Sequence, residues 1–181
     1  MVNIEEMEPE GDSGADMIAW LQSRSPEDWH FVGDLLNWDN AMNVIQWILD
    51  QKTCDKATAA MMFWKSSPDY YLQFPNREAA VTHAPVDGFD FTKQLLERWT
   101  SGFYHRSRIA FAPLPHLVEI YRRTEAQYAA NGLPWRIDDE LTAVRPGADI
   151  LSAREYRSRY SDELARLLEA LGTSIPHPDE T

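Results

Sequence analysis

Cys54 is the one residue of this sequence whose type and position could support nucleophilic catalysis. It is the only cysteine, and it precedes a helical stretch, where the helix dipole lowers the pKa of a thiol. A thiol nucleophile also needs a base, and His30, His83, His105 and His116 are scattered without the local pattern of a cysteine hydrolase. The favoured interpretation is therefore structural burial of Cys54, and no catalytic residue is predicted.

A second group of candidate residues is basic. His105, Arg106 and Arg108 could grip a phosphate or a carboxylate, and Arg122-Arg123 would extend the group if the two segments pack together. The favoured interpretation is a solvated face whose cations pair with nearby acids, because the chain as a whole is negative. The alternative is an enzyme whose site combines Cys54 or His105 with Arg108, brought together from distant parts of the chain.

Two further groups of residues suit protein binding. The acidic triplet Asp138-Asp139-Glu140 lacks the alternating oxygen ligands and the glycine of a calcium loop, so it favours helix capping before Leu141 or contact with a basic partner. Aromatic residues in irregular segments either anchor an interface or fill the core beneath a loop. The partner-binding residues predicted on these grounds are Asp138, Asp139, Glu140, Tyr70, Tyr71 and Trp135.

Length and composition are those of one ordinary domain. The 181 residues are 44% hydrophobic and include seven tryptophans, which is enough apolar area for a core without crosslinks. A single cysteine forms no internal disulfide, which fits a reducing compartment. The sequence has no phosphate loop and no metal-ligand spacing, so we predict no cofactor and no metal. It also lacks a secretory signal and an uncharged run that could cross a bilayer, so we expect a cytoplasmic protein that does not bind membranes.

The charge of the chain limits its partners. Net charge is −12, and six carboxylates between residues 5 and 16, with no Lys or Arg among them, leave −6 for the rest. Because Pro, Gly and Ser accompany these carboxylates, we predict a disordered acidic tail over residues 1–15. A negative field repels phosphate backbones and disfavours nucleic acid, whereas it attracts a basic protein.

Hydrophobic spacing predicts an all-α, mainly helical fold. We expect one domain over residues 16–172, a bundle of about seven helices, followed by a loose tail over 173–181. The helix from Lys56 to Lys65 is apolar on nearly every side, which places it at the centre of the core. The one exception that the pattern allows is a short strand or hairpin near 103–111, where apolar and polar residues alternate imperfectly.

Capping residues set the predicted helix boundaries. Ser25 before Pro26 begins the second helix, and Thr53 or Asp55 begins the central one. A loop over residues 133–151 precedes the final helix, and loops of that length are often functional or docked. Ser152 is expected to cap the final helix, which then runs without a break to Leu171.

Uncommon residue types stand at fixed spacing over residues 37–64, namely Asn37, Trp38, Asp39, Cys54, Asp55, Thr58, Ala59, Phe63 and Trp64. With these residues the segment resembles a bacterial domain family of unknown function. The core of that family reads Asn-Trp-Asp, an amphipathic helix, then Cys-Asp, two residues, Thr-Ala and an aromatic pair. The resemblance implies a helical bacterial domain and assigns no catalytic residue. In this chain Ala57 stands where the family often has glycine.

Together these features favour a non-catalytic bacterial protein-binding protein. It would be an inhibitor of the immunity or antitoxin type, or the partner of an effector, and would present an acidic surface to a basic protein. Two alternatives stay open, namely the enzyme described above and a homodimeric structural or regulatory module joined through exposed aromatic residues. A deep pocket with convergent polar groups would favour the enzyme, and a symmetric apolar contact would favour the dimer.

Overall fold

Eleven α-helices form in the described residues, which are 13–83, 86–132, 136–173 and 175 of a computed structural model. The predicted mainly helical fold is therefore confirmed, with more helices than the seven expected because several are single turns. The predicted acidic tail over 1–15 lies outside the described residues except for its last three, which begin the first helix. No helix in the described part of the chain is long and apolar enough to cross a membrane.

Contacts between residues divide the chain into two compact units. Unit 1 comprises Met1–Ile48 and Leu151–Thr181, and unit 2 comprises Leu49–Ile150. The expectation of one domain over 16–172 stays a prediction. The loose tail expected over 173–181 also stays a prediction, since only residues 173 and 175 of that range are described.

Unit 1 pairs helices from the two ends of the chain, with α1 (Ser13–Gln22) against α11 (Asp162–Ala170) and α2 (Pro26–Leu35) against α10 (Ala153–Arg159). Ser25 begins α2 as predicted. Its hydroxyl accepts the backbone N–H of Asp28 at 3.3 Å, and the Asp28 carboxylate accepts the backbone N–H of Ser25 at 3.0 Å, which completes a capping box. Most of α3 (Trp38–Asp50) also belongs to unit 1.

The final helix is interrupted, contrary to the prediction of one helix from Ser152 to Leu171. Ser152 caps α10 as expected, accepting the backbone N–H of Glu155 at 3.4 Å. A second N-cap then restarts the chain, because the hydroxyl of Ser161 accepts the backbone N–H of Leu164 at 3.2 Å. The apolar spacing continues through this break, which is why periodicity alone did not reveal it.

Unit 2 is arranged around α4 (Lys56–Lys65), and the prediction that this helix is a core helix is confirmed within the unit. All residues from Ala57 to Phe63 are buried, whereas Trp64 is only partly buried. The carboxylate of Asp55 caps α4 by accepting the N–H of Ala57 at 3.0 Å. The other helices are α5 (Pro68–Tyr71), α6 (Arg77–Val81), α7 (Val86–Thr100), α8 (Pro115–Ala130) and α9 (Asp139–Thr142).

No strand forms in the described residues, so the strand or hairpin expected near 103–111 is wrong. The segment is instead held by isolated bridges, parallel between Ile109 and Ala148 and antiparallel between Phe111 and Arg145. Arg145 and Ala148 belong to one short stretch. Because one of their bridges is antiparallel and the other parallel, that stretch reverses its direction between them, and the pairing does not extend into a ladder. The reversal occurs beside Gly147, where a Cβ would lie 2.5 Å from the carbonyl oxygen of Arg108.

Candidate functional site

A buried carboxylate, that of Asp55, joins the start of α4 to the irregular segment at 106–108. Asp55 is fully buried. One carboxylate oxygen caps α4, as described above, and the other accepts the backbone N–H of Arg108 at 2.7 Å. The guanidinium Nε of Arg106 lies 3.6 Å from the same oxygen and balances its charge. Since both carboxylate oxygens bind groups of the protein itself, Asp55 serves to hold the fold of unit 2 together.

Cys54 is buried beside this carboxylate. Only 1% of the residue is exposed, and its Sγ lies 3.7 Å from the carbonyl oxygen of Asp55. Burial, with the charge of Asp55 adding to it, raises the pKa of the Cys54 thiol far above its ordinary value. The side chains of His105 and Arg108 are exposed. The burial interpretation of Cys54 is thus confirmed, and the residues of the enzyme alternative do not share one environment.

We predict that Cys54 is inert to thiol reagents in the native protein. At about pH 8 an exposed thiol is partly ionised and reacts, whereas a buried thiol with a raised pKa stays protonated. Modification by a chromogenic disulfide should therefore be slow before denaturation and rapid after it. Cys54→Ser should leave partner binding intact, and loss of an activity with the fold retained would instead restore the thiol mechanism.

The acidic triplet is used inside unit 2. Asp138 caps α9 by accepting the N–H of Glu140 at 2.8 Å, and Asp139 pairs with Arg122. Glu140 binds the Lys56 ammonium at 2.8 Å, and this hydrogen bond lowers the pKa of the Glu140 carboxyl. The helix-capping interpretation is confirmed. A role of the triplet in partner binding stays a prediction, and it would have to compete with these internal ion pairs.

The basic residues singled out from the sequence also pair with acids. Arg106 lies beside Asp55, as described above, and Arg122 also binds Glu125 at 3.1 Å. Arg123 lies 3.8 Å from Glu119 one helical turn away. The predicted ion pairing is thus confirmed for these three arginines.

The predicted aromatic residues have different surroundings. Tyr70 is 42% exposed, donates its hydroxyl to the carbonyl oxygen of His83 at 3.1 Å, and contacts the edge of Tyr71. Tyr71 is partly buried and packs against a small cluster that includes Phe74 and Phe89. Tyr71 is therefore a core residue, while Tyr70 faces solvent. Trp135 lies outside the described residues.

The negative charge of the chain is concentrated in the residues of unit 1. Its two stretches, 1–48 and 151–181, contain 16 carboxylates against 5 Lys and Arg, a net charge of −11. Residues 49–150 contain 13 carboxylates against 12 Lys and Arg, a net charge of −1. The net charge of the whole chain does not show this difference. The sequence of residues 1–48 already indicated it, because Arg24 is the one Lys or Arg in that stretch.

Three exposed carboxylates lie on three helices of unit 1: α1 contacts both α3 and α11, and a hydrogen bond joins residues just outside α3 and α11. A Cβ on Gly14 of α1 would lie 2.1 Å from the side chain of Asn43 in α3, and the backbone N–H of Asn37 donates to the hydroxyl of Thr173 after α11 at 3.3 Å. Helices α1 and α11 also touch directly. The carboxylates, called the acidic junction below, are Asp16 on α1, Asp39 on α3 and Glu169 on α11.

A polar cleft of about 480 Å³ also lies within unit 1. The Arg24 guanidinium lies 4.2 Å from the centroid of the Trp20 ring, and the indole N–H of Trp20 donates to Glu163 at 3.0 Å. Burial opposes ionisation of Asp28, but hydrogen bonds from Ser25 and the pair with Arg159 outweigh it and lower its pKa. The lining residues are Trp20, Arg24, Asp28, Ser158, Arg159, Tyr160, Ser161 and Glu163.

Metal binding has no support in the part of the chain that is described, where no group of three or more His, Cys, Asp or Glu side chains could hold an ion. The polar groups of the cleft are instead ion pairs and hydrogen bonds, beside the partly buried ring of Trp20 that Arg24 covers. Such a surface is suited to recognising another charged group.

Residues 24–100 match the family model described as a domain of unknown function (DUF4274). The matched segment extends from α2 to α7 and includes residues 37–64, although it is less than half of the 181 residues. Resemblance to a domain of unknown function is therefore confirmed, while the residue core quoted for it and the bacterial origin stay predictions. No curated protein and no solved structure matches the chain.

Proposed function

We propose that this protein is a non-catalytic, cytoplasmic binding protein of bacteria that presents the acidic surface of unit 1 to a basic protein partner. An immunity or antitoxin-type inhibitor, or the partner of an effector, is the role that this charge best fits. The observation that carries the proposal is the charge difference between the units, −11 against −1. An acidic surface of this kind speeds association with a basic partner and excludes acidic ones.

The acidic junction supplies carboxylates that other side chains of the described residues do not neutralise. Asp16, Asp39 and Glu169 are exposed and form no ion pair with any described residue. The acidic triplet of unit 2 differs, because Asp139 and Glu140 already bind Arg122 and Lys56. This difference supports unit 1, rather than the acidic triplet that the sequence pattern favoured, as the binding surface in the proposal.

The test compares two full-length variants that lose the same amount of charge. One neutralises the acidic junction (Asp16→Asn, Asp39→Asn, Glu169→Gln), and the other neutralises exposed carboxylates of unit 2 (Glu78→Gln, Glu97→Gln, Glu119→Gln). A partner captured by the tagged wild-type chain from its own cells is identified, purified and titrated against both. We expect the junction variant to raise Kd about tenfold and the unit 2 variant to change it less than about twofold.

Salt provides the second measurement. Binding of the wild-type chain should weaken as ionic strength rises, and the junction variant should show a shallower dependence because fewer charges face the partner. A captured protein that is acidic, or a Kd that responds equally to both variants, would contradict the proposal. Turnover of a substrate by the purified chain would favour the enzyme alternative instead.

A further inference from the structure

The cleft of unit 1 contains an aromatic face that an arginine of the same chain covers. Arg24 lies in the turn between α1 and α2, and its guanidinium carbon is 4.2 Å from the centroid of the Trp20 ring. The same guanidinium lies 3.6 Å from the carboxylate of Glu163, with 40% of the Arg24 side chain and 59% of the Glu163 side chain exposed. The arrangement is a guanidinium held between a π face and a carboxylate at an open surface.

The Trp20 ring and the Glu163 carboxylate do not depend on Arg24 for their positions. The indole N–H of Trp20 donates to Glu163 at 3.0 Å, which fixes the ring against the carboxylate. Helices α1 and α11, which carry Trp20 and Glu163, are in direct contact. If the Arg24 side chain swung into solvent, a positioned aromatic face and an anionic group would remain in the cleft.

Arg24 itself is held weakly. Its distance to Glu163 exceeds that of a hydrogen bond, and exposed ion pairs of this kind contribute little to stability. A cation–π contact at an exposed site is also modest. A second guanidinium can therefore displace Arg24 at small cost, and the net charge of −11 on the residues of unit 1 attracts it.

We propose that the face of Trp20 and the carboxylate of Glu163 form a receptor for an arginine side chain of the basic partner, and that Arg24 occupies this receptor until the partner displaces it. The inference rests on the proposed function and names one contact within it. Arginine is favoured over lysine because its planar guanidinium stacks on an indole while its N–H groups reach the neighbouring carboxylate. Charge complementarity and the internal example of Arg24 both support this occupant.

The probe for this receptor is a blocked glycine-arginine-glycine tripeptide amide, titrated into the full chain while the indole N–H signal of Trp20 is followed by NMR. We expect Arg24→Ala to bind the peptide about threefold to tenfold more tightly than the wild type, because the internal competitor is gone. Arg154→Ala removes the same charge from an exposed position outside the cleft and should bind as the wild type does. The matching lysine peptide should bind more weakly to every variant.

Two further variants test the receptor itself. Trp20→Leu and Glu163→Gln should each reduce peptide binding in the Arg24→Ala background, provided that their circular dichroism matches that of the parent. Equal affinities of Arg24→Ala and Arg154→Ala, or saturation without a shift of the Trp20 signal, would overturn the inference. In that event the proposed function still stands if neutralising the acidic junction weakens the partner, so the two failures are distinguishable.

Discussion

Asp55→Asn should reduce the free energy of unfolding by about 3–5 kcal/mol, the range for removing one member of a buried ion pair. The substitution keeps the shape of the side chain and an oxygen that can still cap α4. It places an amide N–H₂ where the backbone N–H of Arg108 now donates at 2.7 Å, so that two donors face each other. It also removes the carboxylate charge that lies 3.6 Å from the Nε of the partly buried Arg106 guanidinium.

Urea denaturation followed by circular dichroism measures this effect, and a second helix cap provides the control. Asp138 caps α9 in the same way but from an exposed position, and it accepts a single backbone N–H. Asp138→Asn should therefore cost well under about 1 kcal/mol, since asparagine is a good cap and no charge is buried. Equal effects of the two substitutions would show that Asp55 acts only as a cap.

Trp64→Ala should reduce the free energy of unfolding by about 3 kcal/mol, near the lower end for loss of a large aromatic core residue because the ring is partly exposed. The indole contacts the edges of Phe63 and Tyr121, and its N–H donates to the carbonyl oxygen of Leu141 at 2.8 Å. Removing it opens a cavity between α4 and the residues of α8 and α9, and orphans that carbonyl.

Trp64→Phe separates the two contributions. It keeps most of the apolar ring and removes the indole N–H, so it should cost about 1 kcal/mol, the ordinary contribution of one hydrogen bond. Thermal unfolding of the three proteins gives the comparison. An unchanged transition in Trp64→Ala would mean that α4 is not the packing centre of unit 2.

Local signals predicted the fold where they did not depend on distant partners. The caps at Ser25 and Ser152, and Asp55 as one of two candidates with Thr53, were recognisable because a side-chain acceptor and the N–H groups it satisfies are only two or three residues apart. The burial of α4 followed from its composition, since a helix apolar on all sides has no stable exposed face. The helical class of the protein was predictable because the spacing of hydrophobic residues is also a local signal.

The errors arose where local signals conflicted or where the partner was distant. At Ser161 an N-cap interrupts a continuous apolar stripe, and the stripe was the stronger pattern over twenty residues. Near 103–111 the alternation was real, but Asp55, Arg145 and Ala148 supply single bridges from three positions instead of a neighbouring strand. Strand pairing depends on what lies beside a segment, which its own residues do not encode.

For the candidate surface, too, some features follow from the sequence alone and others depend on the tertiary structure. Residue types alone established a helical, acidic protein with one cysteine and no recognisable catalytic motif, because helix periodicity, charge and motif spacing are properties of the linear chain. The tertiary structure determines which carboxylates are neutralised, because it places Lys56 beside Glu140 and Arg122 beside Asp139. It also brings Trp20 into contact with Glu163, which is 143 positions later in the sequence. Ion pairs and aromatic contacts act over a few ångströms, so only the packing of remote helices determines which charges remain for a partner.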